Sequence, residues 1–453
     1  MKLLCKVAVV LCLVGASRFS ALPESYYVRL PWRSAAQVQE LVARGFDIAG
    51  VNHETKEIAI LTDEVGVGQL SRMGVRPTAV RFEALVDVSS GYKKPSDIEP
   101  ILKQFETDYP QLAKVHNIGR SNDGRDIFAI QITDFTLVPL EEKAVFLVDA
   151  MHHARELMTP EIALDVVEQL THGYATDTQI RTWLARTEVW VIPMLNPDGN
   201  DKVWTASRSW RKNTRGGYGV DNNRNYPADW GKCQGSSGSM FDMDYRGPSA
   251  GSEPETQALM NLAREIRPLV GLSVHSASEM VLYPYGCSNH SVPMEQRSIL
   301  EGLGRSTASK IQRDSGNGTY SPGTPWQLLY NADGGSMDWL FDTLGTYAYA
   351  FEVSSTNQGF SPSYAQWRES TVKRVRAGWK HMLERVNGPS IRVRAATGEK
   401  VTVLTGSGST IQTRTADSKG WVQFLVPSGS YQVRDAAGQT RTVTVGTSRA
   451  VLN

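Results

Sequence analysis

Four cysteines in 453 residues are too few for a disulfide-built scaffold, and two of them, Cys5 and Cys12, sit at the extreme N-terminus. The formal net charge is only +1, so no global field favours nucleic acid or an anionic membrane. No stretch beyond the first twenty residues is long and apolar enough for the roughly 20-residue span of a bilayer. Internal repeats and low-complexity tracts are lacking as well. Cys287 and His290 are spaced like metal ligands, but no second Cys or His pair completes a four-ligand structural zinc site, so any metal is expected on His and carboxylate. What is present, 41% hydrophobic and 21% charged residues, is the composition of a folded soluble protein, and the length calls for two or three domains.

Lys2 and Lys6 flank the start of an apolar run, Val7 to Val14, followed by Gly15, Ala16 and Ser17. This is the layout of a secretory signal peptide over residues 1–21, cut after Ala16 or Ala21; a membrane anchor would need a longer run. Export would leave Cys233 and Cys287 as an even pair, candidates for one disulfide in an oxidising compartment. Residues 22–90 read strand, helix, strand, strand, helix, strand, with Tyr26 to Leu30 and Ile58 to Leu61 as strands and Ser34 capping a helix over Ala35 to Arg44. Gly91-Tyr92-Lys93-Lys94-Pro95 reads as a linker. From 91 to 388, apolar runs such as Val145 to Val148 and Val189 to Ile192 alternate with helical stretches such as Pro160 to His172, which predicts an α/β domain: a mixed, mostly parallel twisted sheet with helices on both faces. Residues 389–453, rich in Thr, Val, Gly and Ser with alternating patterns, predict a small all-β sandwich of six short strands.

A catalytic zinc needs three protein ligands and an open position. His153 and Glu156 lie at i and i+3 after the strand ending near Val148, and on one helical turn they would share a face. His275 is expected at the end of a buried strand, on the carboxyl edge where open α/β sheets bind ligands. Taken alone, each reads more readily as a structural histidine or a solvent-facing glutamate than as a ligand.

Their company is more specific. Asn196-Pro197-Asp198-Gly199, Trp210-Arg211-Lys212, Gly219 to Asn225, Tyr330 to Trp339 and Phe351-Glu352, with the opening signature Ile118-Gly119-Arg120-Ser121 and Gly124-Arg125, resemble the zinc carboxypeptidase family of the carboxypeptidase A type over roughly Tyr92 to Arg385. The resemblance implies one Zn²⁺ per chain on His153, Glu156 and His275, with Glu352 as general base and Arg211 stabilising the oxyanion. It implies that Asn223, Arg224 and Tyr330 hold the terminal carboxylate of a peptide, and that Arg155 touches residues before the scissile bond. It also implies that 22–90 is an α+β pro-segment removed by an activating protease near Lys93-Lys94, and that 389–453 is similar to transthyretin-like domains appended to some relatives. The chain is expected to act as a monomer.

Positions matching the family's terminal side-chain pocket are Leu282, Gly286, Leu329, Ala332, Gly335, Met337 and Ala350, all apolar or small. Met337 stands where basic-specific members carry Asp, so apolar or aromatic C-terminal residues are the expected preference; Asp333, if it points inward, would admit basic ones. Ala277 and Val353-Ser354-Ser355 depart from the family pattern, and His152 competes with His153 as a ligand. Two rival readings are an enzyme specific for cell-wall peptides, which would want polar groups in the pocket, and a homologue that binds C-terminal tails without cleaving them. A structural metal protein would need a fourth closing ligand.

Overall fold

The computed structural model describes residues 25–82 and 91–453; the signal-like segment lies outside the described residues. The first module comprises β1 (Tyr26–Pro31), α1 (Ala35–Ala43), β2 (Asp47–Asn52), β3 (Glu57–Thr62), α2 (Glu64–Arg72) and β4 (Ala79–Phe82). Its strands form one antiparallel sheet in the order β2-β3-β1-β4. Ser34 and Asp63 cap the two helices by accepting from Gln37 N and Gly66 N. Both faces of this sheet are apolar, for different reasons. Val28, Leu30, Ile58 and Ile60 pack against Val38, Leu41 and Leu70 of the module's own helices. Tyr27, Ala49, Ala59 and Leu61 occupy the other face and cluster with Phe360 of the next domain.

The central domain contains α3 (Pro95–Asp108), β5 (Ala113–Arg120), β6 (Asp126–Ile132), β7 (Ala144–Ala150), α4 (Met158–Gly173), α5 (Thr178–Arg186), β8 (Thr187–Ile192), α6 (Pro197–Thr205), α7 (Pro254–Ile266), β9 (Val270–Ser276), β10 (Met280–Leu282), α8 (Met294–Ala308), β11 (Ser321–Gly323), α9 (Pro325–Leu328), α10 (Ser336–Leu344), β12 (Tyr347–Val353) and α11 (Tyr364–Asn387). Its eight-stranded sheet runs β11-β10-β12-β9-β7-β8-β6-β5, with β8, β7, β9 and β12 mutually parallel and antiparallel strands outside them. The expected mixed sheet covered on both faces is observed.

Strand periodicity then decides where chemistry can sit. Phe146, Val148, Ala150, Val270, Leu272, Val274, Tyr349 and Phe351 belong to one core with Val166, Leu170, Trp379 and Leu383 of α4 and α11. The intervening positions point the other way, toward Leu259 of α7 and Leu340 of α10. That second face receives Asp149, Ser273, His275, Ala350 and Glu352, all near the carboxyl ends of adjacent parallel strands.

The last domain has seven strands rather than six: β13 (Ser390–Arg394), β14 (Lys400–Thr405), β15 (Thr410–Thr415), β16 (Trp421–Leu425), β17 (Gly429–Arg434), β18 (Thr440–Val445) and β19 (Arg449–Leu452). They form sheets β16-β13-β19 and β15-β14-β17-β18. The extra strand, β19, pairs in parallel with β13. Only Gly388 and Pro389 separate α11 from β13, and the domain's apolar interior is continuous with the central core. Buried Arg414 donates to Leu344 O, Pro268 O and Gln423 O, tying the domain to the end of α10 and to the loop that precedes β9. No helix among the described residues is long and apolar enough to cross a membrane.

Candidate active site

β7 ends in a turn rather than a helix. Met151 adopts φ +62°, and Glu156 N donates to His153 O at 3.2 Å, so His153 and Glu156 converge through a tight turn before α4 begins at Met158. The i, i+3 proximity expected from a helix is delivered by this turn. His275 is the penultimate residue of β9, and Glu352 is its register partner on β12. Three buried side chains meet: His153 Nδ1 lies 2.7 Å from Glu156 Oε1, and His275 Nδ1 lies 3.1 Å from Glu156 Oε2 and 3.2 Å from His153 Nδ1. Donors 2.0–2.1 Å from a tetrahedral zinc stand about 3.3 Å apart, so this spacing and this nitrogen–oxygen set fit zinc. The far ring nitrogens are anchored, His153 Nε2 against Asp221 Oδ1 (3.2 Å) and His275 Nε2 against Ser273 Oγ (3.1 Å), the outer contacts that orient metal-binding imidazoles. His152 is elsewhere: it lies between Asp149 Oδ1 (3.1 Å) and Tyr226 Oη (2.9 Å), completely buried.

Burial pushes the His275 imidazole down to about 4, against the adjacent Glu156. Burial raises the Glu156 carboxyl, but His153 and His275 outweigh it and hold it below the ordinary range. Glu352 is raised well above the usual carboxylate range by burial and then by Glu156, with Arg211 and Arg224 opposing. No hydrogen bond within the described protein engages its carboxyl.

Asp221, a residue given no role from sequence although it stands inside the Gly219–Asn225 motif, organises the site. Its Oδ2 accepts from Arg211 Nε (3.0 Å) and Nη2 (2.8 Å), while Oδ1 accepts from Asn223 N (2.9 Å). Burial opposes its charge, yet Arg211 and His153 hold it well below the usual carboxylate range. Arg224 is fixed by Gly235 O (2.9 Å) and Asn223 O (2.8 Å), and Asn223 Oδ1 accepts from Ser336 N (3.0 Å). Arg211, Asn223, Arg224 and Tyr330 thus share one cleft with the His–Glu–His cluster and Glu352.

Beyond them lies a pocket whose walls include Leu282, Gly286, Leu329, Ala332, Gly335, Met337 and Ala350. Gly286 is required: a β-carbon there would stand 2.1 Å from Ala332 O. The Cys233–Cys287 disulfide joins the two loops behind this wall. Asp333 is a correction. Its carboxylate is turned away and saturated by Gly231 N, Cys233 N, Gly235 N and Ser236 Oγ, so it does not face the pocket. The acid on the pocket wall is its neighbour in the motif, Asp338. Asp338 Oδ2 accepts from Gly286 N (2.8 Å), and burial, then Asp342 and Asp229, push its carboxyl up to about 8, so it is mostly protonated and uncharged at neutral pH.

The mouth of the cleft is covered by β2: Ile48, Ala49 and Gly50 line it, leaving about 80 Å³ open. Arg155 is outside the pocket. It lies over the Phe360 ring and is gripped by Asp47, with Nη2 2.8 Å from Asp47 Oδ1 and a second bond from Nη1 to Oδ2.

The zinc carboxypeptidase family model matches residues 98–375. The chain belongs to the zinc carboxypeptidase family. Carboxypeptidase B of Homo sapiens is 32% identical over 307 residues, covering 65% of this chain and 71% of that protein. A zinc carboxypeptidase of Saccharothrix mutabilis subsp. capreolus is 34% identical over 291 residues, 60% of this chain and 64% of that one. Among solved structures, carboxypeptidase A from Helicoverpa armigera superposes with a TM-score of 0.69 at 22% identity, over 81% of this chain and 99% of that one, a likeness of fold. This carboxypeptidase is therefore a metalloenzyme of the A/B type, a class that acts on peptide C-termini, and the His153–Glu156–His275 cluster, Glu352 and the pocket residues from Leu282 to Ala350 fall within the matched segment.

Proposed function

We propose that the chain is a secreted precursor of a zinc metallocarboxypeptidase that removes apolar or aromatic residues from peptide C-termini. The observation that carries this reading is the convergence, in one cleft, of the His153–Glu156–His275 triad with Glu352 across from it. Zinc held by the triad would lower the pKa of a water ligand to about 7 and polarise the scissile carbonyl. The chain's own residues supply the rest. Arg224 and Asn223 receive the substrate's terminal carboxylate, a charge-assisted match for the guanidinium fork, and Tyr330 closes over it. With its carboxyl ionised once a cation on the triad offsets the Glu156 charge that raises it, Glu352 takes a proton from the attacking water onto its carboxylate oxygen. As the C–N bond breaks, it returns that proton to the departing amine nitrogen. Arg211, preoriented by Asp221, offers its positive charge to the oxygen that turns negative.

The pocket walls support an apolar preference, because Asp338 in its protonated form adds no charge. They argue against a cell-wall substrate with a charged terminal residue. A tail-binding protein without activity would have no use for Glu352 beside an intact triad. Residues 22–90 act as a pro-segment: β2 lies across the cleft mouth and Asp47 occupies Arg155, so a protease must cut within 83–94 to open it. The N-terminal signal layout and the Cys233–Cys287 disulfide support export.

The test is Glu352→Gln in the cleaved enzyme, which keeps shape and metal ligands. Zinc content should stay at one per chain while kcat falls on the order of a thousandfold or more. Retained activity would remove Glu352 from its assigned role.

A further inference from the structure

We infer that the cleft between the central domain and the C-terminal β domain is a second binding site, built for a phosphate or sulfate group. The cleft has a volume of about 470 Å³ and its walls include Arg186, Arg392, Arg449 and Trp421. It is remote from the catalytic cleft. Glu142, on its wall, lies two residues before β7, whereas His153 follows that strand's other end, and seven strand residues span about 20 Å.

Its charges are unusual. Arg449 Nη1 donates to Glu142 O (3.0 Å) and Nη2 weakly to Arg186 O (3.4 Å), but its Nε is buried without a hydrogen-bond partner. The Arg186 side chain is exposed and forms no ion pair or hydrogen bond among the described residues. Glu142 and Asn453 also line the cleft, and Glu142 forms no ion pair with either arginine. Arg392 is engaged by Lys143 O (3.1 Å) and stacks over the Trp421 ring at 4.5 Å. Burial, then repulsion from Arg392 and Arg186, pushes the Arg449 guanidinium down to about 10. Like charges gathered on one cleft wall repel unless a counter-charge arrives.

The counter-charge is best met by an oxyanion. Arg186, Arg392 and Arg449 outnumber the Glu142 carboxylate on the walls, leaving a net positive charge that an oxyanion balances. Guanidinium groups bind such oxyanions through paired, charge-assisted hydrogen bonds. The volume exceeds that of a bare oxyanion, leaving room for the group that carries it, with the Trp421 face as one wall.

The experiment uses the full chain for binding, and peptidase activity is read on the same chains after cleavage within 83–94. Sodium phosphate is titrated calorimetrically at constant ionic strength, and sedimentation is measured with phosphatidylglycerol-containing and with pure phosphatidylcholine vesicles. Saturable phosphate binding, weakened roughly tenfold in Arg186→Gln and more in Arg186→Gln/Arg449→Gln with peptidase activity retained, supports the site with a free anion as ligand. Sedimentation with phosphatidylglycerol vesicles only, lost in the same variants, supports it with a surface-borne phosphate as ligand. Arg186→Gln replaces an exposed side chain, so it reports even if the double variant fails to fold. Absence of binding to both probes, or binding that neither variant weakens, overturns the inference. Peptidase activity is read separately, so loss of this site and failure of the catalytic reading are distinguishable.

Discussion

Replacing Asp47 by Asn should wake the uncut chain. Asp47 and Arg155 form the buried ion pair between the first module and the central domain, with side chains 11% and 1% exposed, and Glu54 pairs with Arg313 (2.6 Å) nearer solvent. Asparagine keeps the shape and removes the charge, so in the docked state Arg155 is left buried without a counter-ion. When the module lifts away, Arg155 regains water, and the whole penalty therefore falls on docking. Breaking a buried pair costs about 3 kcal/mol or more, roughly 150-fold in the docking equilibrium. Other anchors, among them Tyr27 Oη to Thr356 O (2.6 Å), His53 Nε2 against Leu328 O (2.8 Å), the Glu54–Arg313 pair and the apolar face around Phe360, are unchanged. The assay compares hydrolysis of a blocked peptide ending in phenylalanine before and after limited proteolysis of the linker. Uncut wild type should be nearly silent, uncut Asp47→Asn should be up to about a hundredfold more active, and the two cut enzymes should be equal. Gly50→Val should act the same way by sterics, since a β-carbon there would stand 2.5 Å from Ser278 Oγ and 2.9 Å from Ala277 O. Uncut wild type as active as the cut enzyme, or an Asp47→Asn chain as silent as wild type, would refute the reasoning.

Two further outcomes concern stability. Removing the disulfide as Cys233→Ala/Cys287→Ala opens a loop of 54 residues, worth roughly 4 kcal/mol, and should lower the urea midpoint while loosening the pocket wall; an unchanged midpoint would show that the loops hold without it. Burial raises the carboxyls of Asp244 to about 6, Glu255 and Glu279 to about 7 and Asp338 to about 8. Between about pH 4 and those values the folded chain keeps protons that the unfolded chain has released. Their contribution to stability is therefore full at low pH and declines as pH rises, each with a slope of up to about 1.4 kcal/mol per unit. The urea midpoint of the zinc-loaded enzyme should fall from pH 5 to pH 8, and a steady rise across that range would contradict the assignment.

The legible part of this molecule was what local pattern and spacing encode. Alternating strands, helix caps at Ser34, and motif residues from His153 to Glu352 could be read directly, because each element carries its own period and each catalytic group its own neighbours. What escaped depends on contacts between distant segments. β19 is four residues long and pairs with β13 across the whole domain, so periodicity alone gave six strands. Whether Asp333 or Asp338 faces the pocket is decided by the loop at 231–236, whose amides capture Asp333. Asp221 was visible within its motif, but its link to both Arg211 and His153 is a tertiary fact. The partner of Arg155, Asp47, is 108 residues earlier and in another module.

The most direct test of the central claim takes the chain freed of residues before Tyr92 and incubates it with a mixed peptide library, reading peptide ends by mass spectrometry. Stepwise loss of apolar and aromatic C-terminal residues, abolished by a chelator and restored by zinc, is the expected result. Peptides left intact by an enzyme carrying one zinc per chain, or trimming that a chelator does not affect, would contradict it.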